Sequence, residues 1–395
     1  MLMAEENELL TRVGPGTPCG ELLRRYWHPI ALLQDVDEES PTKYVRVLGE
    51  DLALFRDKHG RVGLLGDHCS HRGASLLYGR VEERGIACAY HGWLYDVEGN
   101  CLETPAEPAD SRFYLTVKHR AYPVREQYGL YWAYLGPPPA PVLPRWDIAS
   151  FGSVQPTGAQ RFDCNWLQGM ENHMDQAHIF ILHQNTAQRG MDGMSTARGR
   201  IDSLKTLEYT EVPFGIRRRQ THTSGYDDID LLIFPNAQRT YNHIGVRVPI
   251  DDTHMVRYSV WVDVELGGVP VGNPSGKQPG DLNGGLELRQ GLWPTKNPPD
   301  AIYPAAEYRM DGVQAQDLMA LETQGAIADR TGERLASSDR GIVLYRDILK
   351  REIEKVQRGL DPIGVIRDPG QPPINTYIEN WIDISHRFPP DHPNR

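Results

Sequence analysis

Two short loops, each holding one cysteine and one histidine, constrain the fold of this chain more than any other feature. A Cys-x-His motif is followed, after sixteen intervening residues, by a Cys-x-x-His motif, and the four candidate ligands are Cys69, His71, Cys88 and His91. Thiolate and imidazole are both good ligands for transition metals. We therefore expect the chain to bring two hairpin tips together around a metal centre.

Two kinds of metal site use these ligand types. A Rieske 2Fe-2S cluster takes two thiolates on one iron and two histidines on the other, which raises its reduction potential above that of an all-cysteine cluster. A tetrahedral zinc site is the alternative. Zinc sites more often pair Cys with Cys and His with His, whereas these loops mix the two and continue into Arg72-Gly73 and Gly92-Trp93. The sequence therefore favours a Rieske cluster and electron transfer.

Length and composition point to a second domain and to a soluble protein. A small cluster carrier needs roughly 100 residues, and this chain has 395. It has no apolar run long enough to span a bilayer, and its start lacks a basic stretch followed by an apolar one, so we expect a cytoplasmic protein. The net charge of -11 argues against a nucleic-acid partner. Five cysteines fit a reducing compartment, and we interpret Cys19, Cys101 and Cys164 as ordinary buried thiols.

The first part of the chain reads as a helical lead-in and then a meander of strands. Short apolar runs separated by turn residues predict the strands Tyr44–Leu48, Leu52–Phe55 and Val62–Leu65. The proline-rich segment Gly136–Pro141 cannot form a central strand or a helix interior and is the natural boundary. We predict a lead-in over 1–25, a cluster domain over 26–140 and a second domain over 141–395.

A second candidate metal site lies beyond this boundary. Asp175-x-x-His178-x4-His183 is typical of an iron site with two histidines and one carboxylate, which leaves positions open for dioxygen and substrate. On an ideal helix Glu171, Asp175 and His178 share one face, but His178 and His183 lie about 140° apart. Both histidines can bind one ion only if the helix is distorted or ends between them.

Together these motifs resemble the oxygenase (alpha) subunit of Rieske non-heme iron ring-hydroxylating oxygenases. The resemblance covers nearly the whole chain. It implies an α+β fold, in which an all-β Rieske domain precedes a helix-grip catalytic domain, an antiparallel sheet with helices. It also implies ring-shaped homo-oligomers, a homotrimer or hexamer, in which the cluster of one subunit serves the iron of its neighbour. In this family the residue matching Asp175 is the electron-transfer bridge between the two centres.

The same resemblance implies a third iron ligand far downstream. The segment Gln314–Gly325 looks like the matching helix of the family and predicts Asp317 as the ligand, with Glu322 and Asp311 as alternatives. The residues that follow, including the helix-like Ile342–Val356, resemble the phthalate dioxygenase-like branch, whose members lack a separate beta subunit.

The implied cofactors are a 2Fe-2S cluster and mononuclear Fe(II), and the implied partners are an aromatic substrate, dioxygen and a reductase. No glycine-rich dinucleotide fingerprint follows a strand, so electrons must come from outside the chain. The family implies a separate NADH-dependent reductase with flavin and an iron-sulfur cluster. Cis-dihydroxylation of an aromatic carboxylate is favoured, and O- or N-demethylation is the alternative. A non-catalytic electron-transfer protein has less support, because both iron histidines are present, and a binding or structural protein has the least.

The region between the iron-ligand segments predicts the wall of a pocket. Apolar segments bounded by turn residues predict antiparallel strands over Ile229–Phe234, Tyr241–Ile250 and Met255–Val264, and the last alternates in apolar character. Arg217 and Arg219 would share one strand face and could pair with a substrate carboxylate, with Arg218 on the other face. A solvated strand face or a subunit contact is the favoured interpretation of these arginines. The Gly- and Pro-rich segment 266–300 predicts either a lid or a surface insertion.

Overall fold

The computed structural model describes residues 2–150, 152–183, 204–223, 227–240, 242–266, 269–271, 308 and 313–376. The predicted lead-in consists of two helices, α1 (Ala4–Thr11) and α2 (Pro18–Leu23). Helix α2 begins where the Thr17 side chain accepts a hydrogen bond from the Gly20 N–H at 3.2 Å, and Pro18 occupies its first position. The first N–H groups of a helix have no partner within it; the Thr17 side chain accepts from one of them, and Pro18 has no N–H that needs a partner.

Short strands follow the lead-in, as the sequence predicts. Within residues 27–134 they are β1 (Trp27–Leu32), β2 (Thr42–Val47), β3 (Glu50–Arg56), β4 (Val62–Gly66), β5 (Arg80–Glu82), β6 (Gly85–Ala87), β7 (Leu94–Tyr95), β8 (Cys101–Glu103), β9 (Ala121–Tyr122), β10 (Val124–Gln127) and β11 (Leu130–Tyr134). They form three small sheets, of order β1-β11-β10, β2-β3-β4-β9 and β5-β6-β7-β8. All their pairings are antiparallel.

A larger antiparallel sheet fills the second part of the chain. Its described strands are β12 (Gly152–Phe162), β13 (Leu204–Val212), β14 (Gly215–His222), β15 (Asp227–Ile233), β16 (Ala237–Thr240), β17 (His243–Pro249), β18 (Met255–Leu266) and β19 (Val269–Val271). Their order is β12-β18-β17-β16-β15-β14-β13, with β19 paired to β18. The three predicted strands are therefore confirmed as parts of one sheet, in which β16, which was not predicted, separates β15 from β17. Most of the segment 266–300 lies outside the described residues.

Helices cover one face of this sheet. They are α3 (Trp166–Met174), α4 (Ala177–Ile181), α5 (Val313–Glu322) and α6 (Arg340–Gln357). Helix α3 approaches the sheet closely at Gly169, where an added Cβ would lie 2.8 Å from Arg247 Cδ and 2.5 Å from Met255 Cε. The α+β class with an antiparallel sheet and helices is confirmed; the domain boundary near 140 stays a prediction. Within the described ranges no helix combines the length and apolar character needed to cross a membrane.

The chain breaks the helix at the predicted iron motif. Asp175 has extended backbone angles and ends α3, so the expected single helical face shared by Glu171, Asp175 and His178 is wrong. An Asp side chain that bonds a nearby backbone N–H competes with helix continuation, and Asp175 Oδ1 accepts from the Ala177 N–H at 2.8 Å. Helix α4 then ends at Ile181, between the two histidines. This is the interruption that two histidines five residues apart require.

Candidate functional site

The two cysteine-histidine loops share one backbone design. In each, the glycine four residues after the cysteine donates its N–H to the cysteine carbonyl, at 2.8 Å for Gly73 and 2.9 Å for Gly92. Both glycines have positive φ, 75° and 72°, a conformation that costs other residues free energy. The second loop joins β6 to β7, whose residues Ala87 and Leu94 are paired. The loops are therefore two copies of one ligand-presenting turn.

The side chains of these loops fit a cluster with one buried and one accessible iron. Cys69 and Cys88 are 3% and 4% exposed, whereas His71 is exposed. The His71 and His91 rings lie with centroids 4.5 Å apart, and the Trp93 ring stacks on His71 at 4.4 Å. The thiolates thus face the protein interior and the imidazoles face outward. This is the donor set that a Rieske cluster requires.

Tyr95 should raise the reduction potential of this cluster. Its buried hydroxyl lies 3.2 Å from Cys69 Sγ, and a ligating thiolate can only accept from it. This hydrogen bond stabilises the more negative, reduced cluster, so Tyr95→Phe should lower the potential by roughly 40–60 mV, taking about 1 kcal/mol per hydrogen bond and 59 mV per decade for one electron. A redox titration followed by electron paramagnetic resonance measures the shift. An unchanged potential would show that the hydroxyl does not bond the cluster.

His178, His183 and Asp317 come together at the second site. One ligand atom from each lies within 4.8 Å of the others. The Nε2 atoms of His183 and His178 lie 3.1 Å and 3.6 Å from Asp317 Oδ1. Burial alone would raise the pKa of Asp317, but the hydrogen bond and charge of His183, with the charge of His178, hold that pKa below its ordinary value. The three side chains can hold one divalent metal ion with positions left open.

A hydrogen bond orients His183, and a nearby carboxylate lies beside His178. Gln316 Oε1 lies 2.7 Å from His183 Nδ1, and Asp175 Oδ2 lies 3.4 Å from His178 Nδ1. When Nδ1 of the imidazole carries the proton, Nε2 has a free lone pair that points toward Asp317. A cation bound between Nε2 and the Asp317 carboxylate stabilises this arrangement. The residues present therefore fit mononuclear iron. Gln316 was not predicted; its only signal in the sequence is its position before Asp317.

Of the two alternative third ligands, Glu322 does not join this group. The Glu322 carboxylate accepts hydrogen bonds from the Asp163 N–H at 2.9 Å and the Tyr308 hydroxyl at 2.8 Å. It is not among the metal-ligand groups found in the described part of the chain. Asp311 lies outside the described residues.

The arginine run on β14 divides between the two faces as predicted. Arg219 pairs with Asp227 on the exposed side, which agrees with the interpretation as a solvated face. Arg218 points inward, is 2% exposed and pairs with Asp230. Nothing in these contacts favours a carboxylate clasp by Arg217 and Arg219.

Two other arginines line the helix-covered face of the sheet. Arg247 on β17 and Arg257 on β18 are direct cross-strand partners, so their side chains lie on the same face. Arg247 is buried beneath α3, and Arg257 Nη2 donates to Gln160 Oε1 at 2.8 Å. Burial and its neighbour Arg257 lower the pKa of Arg247 to about 9. The sequence does not point to either arginine, since nothing in it shows which strand positions become paired.

Neither arginine has an acidic partner among the described side chains. No salt bridge joins Arg247 or Arg257 to a described carboxylate, and Arg257 Nε has no hydrogen-bond partner there. The negative charge of Asp317 raises the pKa of both arginines, but burial lowers it by more. Two cations therefore lie side by side on this face of the sheet, close enough for the charge of Asp317 to act on both.

Both halves of the chain match known protein families. The Rieske [2Fe-2S] domain family matches residues 26–123, and the family described as "LigXa C-terminal domain like" matches residues 305–378. The chain is 39% identical to the 5,5'-dehydrodivanillate O-demethylase oxygenase subunit of Sphingobium sp., over 93% of this chain and 84% of that protein. It is 35% identical to the phthalate 4,5-dioxygenase oxygenase subunit of Pseudomonas putida, over 92% and 89%.

A solved structure shares the fold at lower identity. The terminal oxygenase of carbazole 1,9a-dioxygenase from Novosphingobium sp. KA1 superposes with a TM-score of 0.61 and 19% identity, covering 91% of this chain and 96% of that one. The fold, the cluster loops and the two full-length relatives agree with each other. The chain therefore belongs to the Rieske non-heme iron oxygenases and is the oxygenase subunit of a multicomponent system, related to the phthalate dioxygenase and demethylase branch.

Proposed function

We propose that this oxygenase acts on an aromatic carboxylate, which Arg257 and Arg247 hold beside the iron. The observation that carries the proposal is the cross-strand pair of arginines that have no carboxylate partner among the described residues and are reached by the charge of Asp317. Iron(II) bound by His178, His183 and Asp317 would keep one net positive charge, the arginines add two more, and the Asp175 carboxylate beside His178 offsets one. Excess positive charge in a partly buried site is unfavourable unless an anion joins it.

Each part of the site has a proposed task. Mononuclear iron, when bound, supplies dioxygen activation. His178, His183 and Asp317 would hold that iron, and Cys69, His71, Cys88 and His91 would hold the cluster. Asp175 would bridge the two centres. Electrons would come from a separate NADH-dependent reductase that carries flavin and an iron-sulfur cluster. The oxygenase would be a cytoplasmic homotrimer or hexamer.

Arginine geometry suits a carboxylate better than it suits an uncharged ring. Guanidinium groups bind carboxylates with two parallel hydrogen bonds. The bond from Arg257 Nη2 to Gln160 fixes its guanidinium, and its buried Nε has no partner among the described residues. A substrate anchored there would present its ring to the iron at a fixed distance, and this distance decides which carbon reacts.

O-demethylation of a methoxylated aromatic acid is a second candidate. The relative of 39% identity is named an O-demethylase, and the match to the LigXa-like C-terminal family covers the segment that carries Asp317. Demethylation and cis-dihydroxylation differ in whether a methoxy carbon or two ring carbons lie nearest the iron. The anchoring arginines serve both reactions.

A single turnover under oxygen-18 separates these reactions. The iron-replete, chemically reduced protein is mixed with aromatic acids and methoxylated aromatic acids, and the product mass is read. Two labelled atoms in one product establish dihydroxylation, whereas loss of a methyl group as formaldehyde establishes demethylation. Turnover of the methyl esters as readily as the free acids would contradict a carboxylate substrate.

Arg257→Gln should raise KM for the aromatic acid by about 10–100-fold, because a hydrogen bond to a charged group contributes roughly 1.5–3 kcal/mol. The KM for the uncharged amide analogue of the same substrate should change little. Steady-state kinetics with reductase and NADH measure both. Arg219→Gln is the matched control on the exposed face, where Arg219 pairs with Asp227, and it should leave KM unchanged. Equal losses for acid and amide would show that Arg257 does not bind the carboxylate.

A further inference from the structure

Two side chains from the sheet bind the end of the helix that leads to Asp175. The last carbonyls of a helix have no partner within the helix. Here Arg218 Nη1 donates to the His173 carbonyl at 2.8 Å, and the Tyr209 hydroxyl donates to the Met174 carbonyl at 2.8 Å. Two consecutive carbonyls directly before Asp175 are thus held by neighbouring strands.

Tyr209 and Arg218 act as one unit because they are direct cross-strand partners on β13 and β14. Arg218 is in turn the direct partner of Asp230 on β15, and the two side chains form a salt bridge in which each is 2% exposed. A buried pair of this kind fixes the guanidinium in place. Its positive charge also lies where the helix dipole favours a cation.

The Tyr209 ring is held from the other side by α6. A Cβ added at Gly341 would lie 2.3 Å from Tyr209 Cε1, so this glycine lets the helix pack directly on the ring. The phenol therefore has little freedom to leave the Met174 carbonyl. The pair is supported by the sheet on one side and by a helix on the other.

We propose that the Tyr209–Arg218 pair is a clamp that positions Asp175 for electron transfer between the cluster and the iron. Asp175 follows the clamped carbonyls directly, its N–H donates to the Glu171 carbonyl at 2.9 Å, and its Oδ2 lies 3.4 Å from His178 Nδ1. Both residues act through Asp175 and are positioning residues. The inference rests on the proposed role of Asp175 as the bridge.

The test measures how fast the reduced cluster is oxidised in a single turnover with dioxygen and substrate. One electron leaves the cluster, which is oxidised, and enters the iron centre, with dioxygen as the terminal oxidant. Tyr209→Phe should slow this step by about ten- to a hundredfold, since a displacement of about 1 Å at a reacting centre can cost about a hundredfold. Iron content and the resonance spectrum of the cluster should stay unchanged.

Tyr26→Phe is the matched control. Tyr26 also donates from a buried hydroxyl to a backbone carbonyl, that of Ile363 at 2.6 Å, so its loss has a similar structural cost away from Asp175. It should leave the rate unchanged. An unchanged rate in Tyr209→Phe, or an equal loss in Tyr26→Phe, would overturn the clamp.

Asp175→Asn, measured in the same assay, separates the two proposals. If Asp175→Asn does not slow oxidation of the cluster, the bridge itself fails. If Asp175→Asn slows it and Tyr209→Phe does not, the bridge stands and the clamp fails. If oxidation of the cluster is slower in both variants and their iron content is normal, the bridge and the clamp are both supported.

Discussion

Replacing Asp317 by alanine should remove the mononuclear iron and abolish substrate oxidation while leaving the Rieske cluster intact. Asp317 Oδ1 is the atom that both histidines face, with His183 Nε2 at 3.1 Å and His178 Nε2 at 3.6 Å. Without it, two neutral imidazoles remain, a ligand set too small to hold iron(II) firmly. Iron should fall from about three to about two per chain, because the cluster accounts for two.

Iron analysis, the visible spectrum of the cluster and product formation together check this expectation. Glu322→Gln is the control, because Glu322 was the alternative ligand on the same helix and its carboxylate is engaged by Asp163 and Tyr308. It should keep about three iron atoms per chain. If Glu322→Gln lost the third iron and Asp317→Ala kept it, the assignment of the third ligand would be reversed.

Local spacing predicted the parts of this protein whose chemistry is local. The two cysteine-histidine loops carry their ligands and turn glycines within a few residues, so the cluster could be predicted from the sequence alone. The five-residue gap between His178 and His183 likewise required a helix interruption, and α4 ends at Ile181. The continuous helix expected through Glu171 and Asp175 was wrong because Asp175 bonds the Ala177 N–H instead.

The parts that could not be predicted depend on contacts between distant segments. Gln316 meets His183 across 133 residues, and no spacing rule relates the two. Arg247 and Arg257 become a pair only through the register of β17 and β18. Period-two alternation showed that Arg218 faces opposite to Arg217 and Arg219, but it could not show which face of the sheet would be covered by helices.

The helix that carries the iron motif rests on a buried ionic network. Glu171 on α3 accepts hydrogen bonds from Arg330 Nη2 at 2.7 Å and from Arg346 Nε at 2.7 Å. Arg346 also pairs with Glu333, and Arg330 Nη1 donates to Asn7 Oδ1 at 3.1 Å. One carboxylate therefore joins α3 to α6, to the loop after α5 and to the N-terminal helix.

Glu171→Ala should lower the free energy of unfolding by about 3–5 kcal/mol, because removing one member of a buried ionic group leaves its partners without compensation. Glu171 is 10% exposed, and Arg330 and Arg346 are 1% and 4% exposed, so water cannot replace the lost carboxylate. Urea unfolding followed by tryptophan fluorescence measures the loss. Glu354→Ala removes an exposed pair with Arg358 on α6 and should change the free energy by no more than about 0.5 kcal/mol. A Glu171→Ala protein as stable as Glu354→Ala would mean that the network contributes specificity of packing rather than stability.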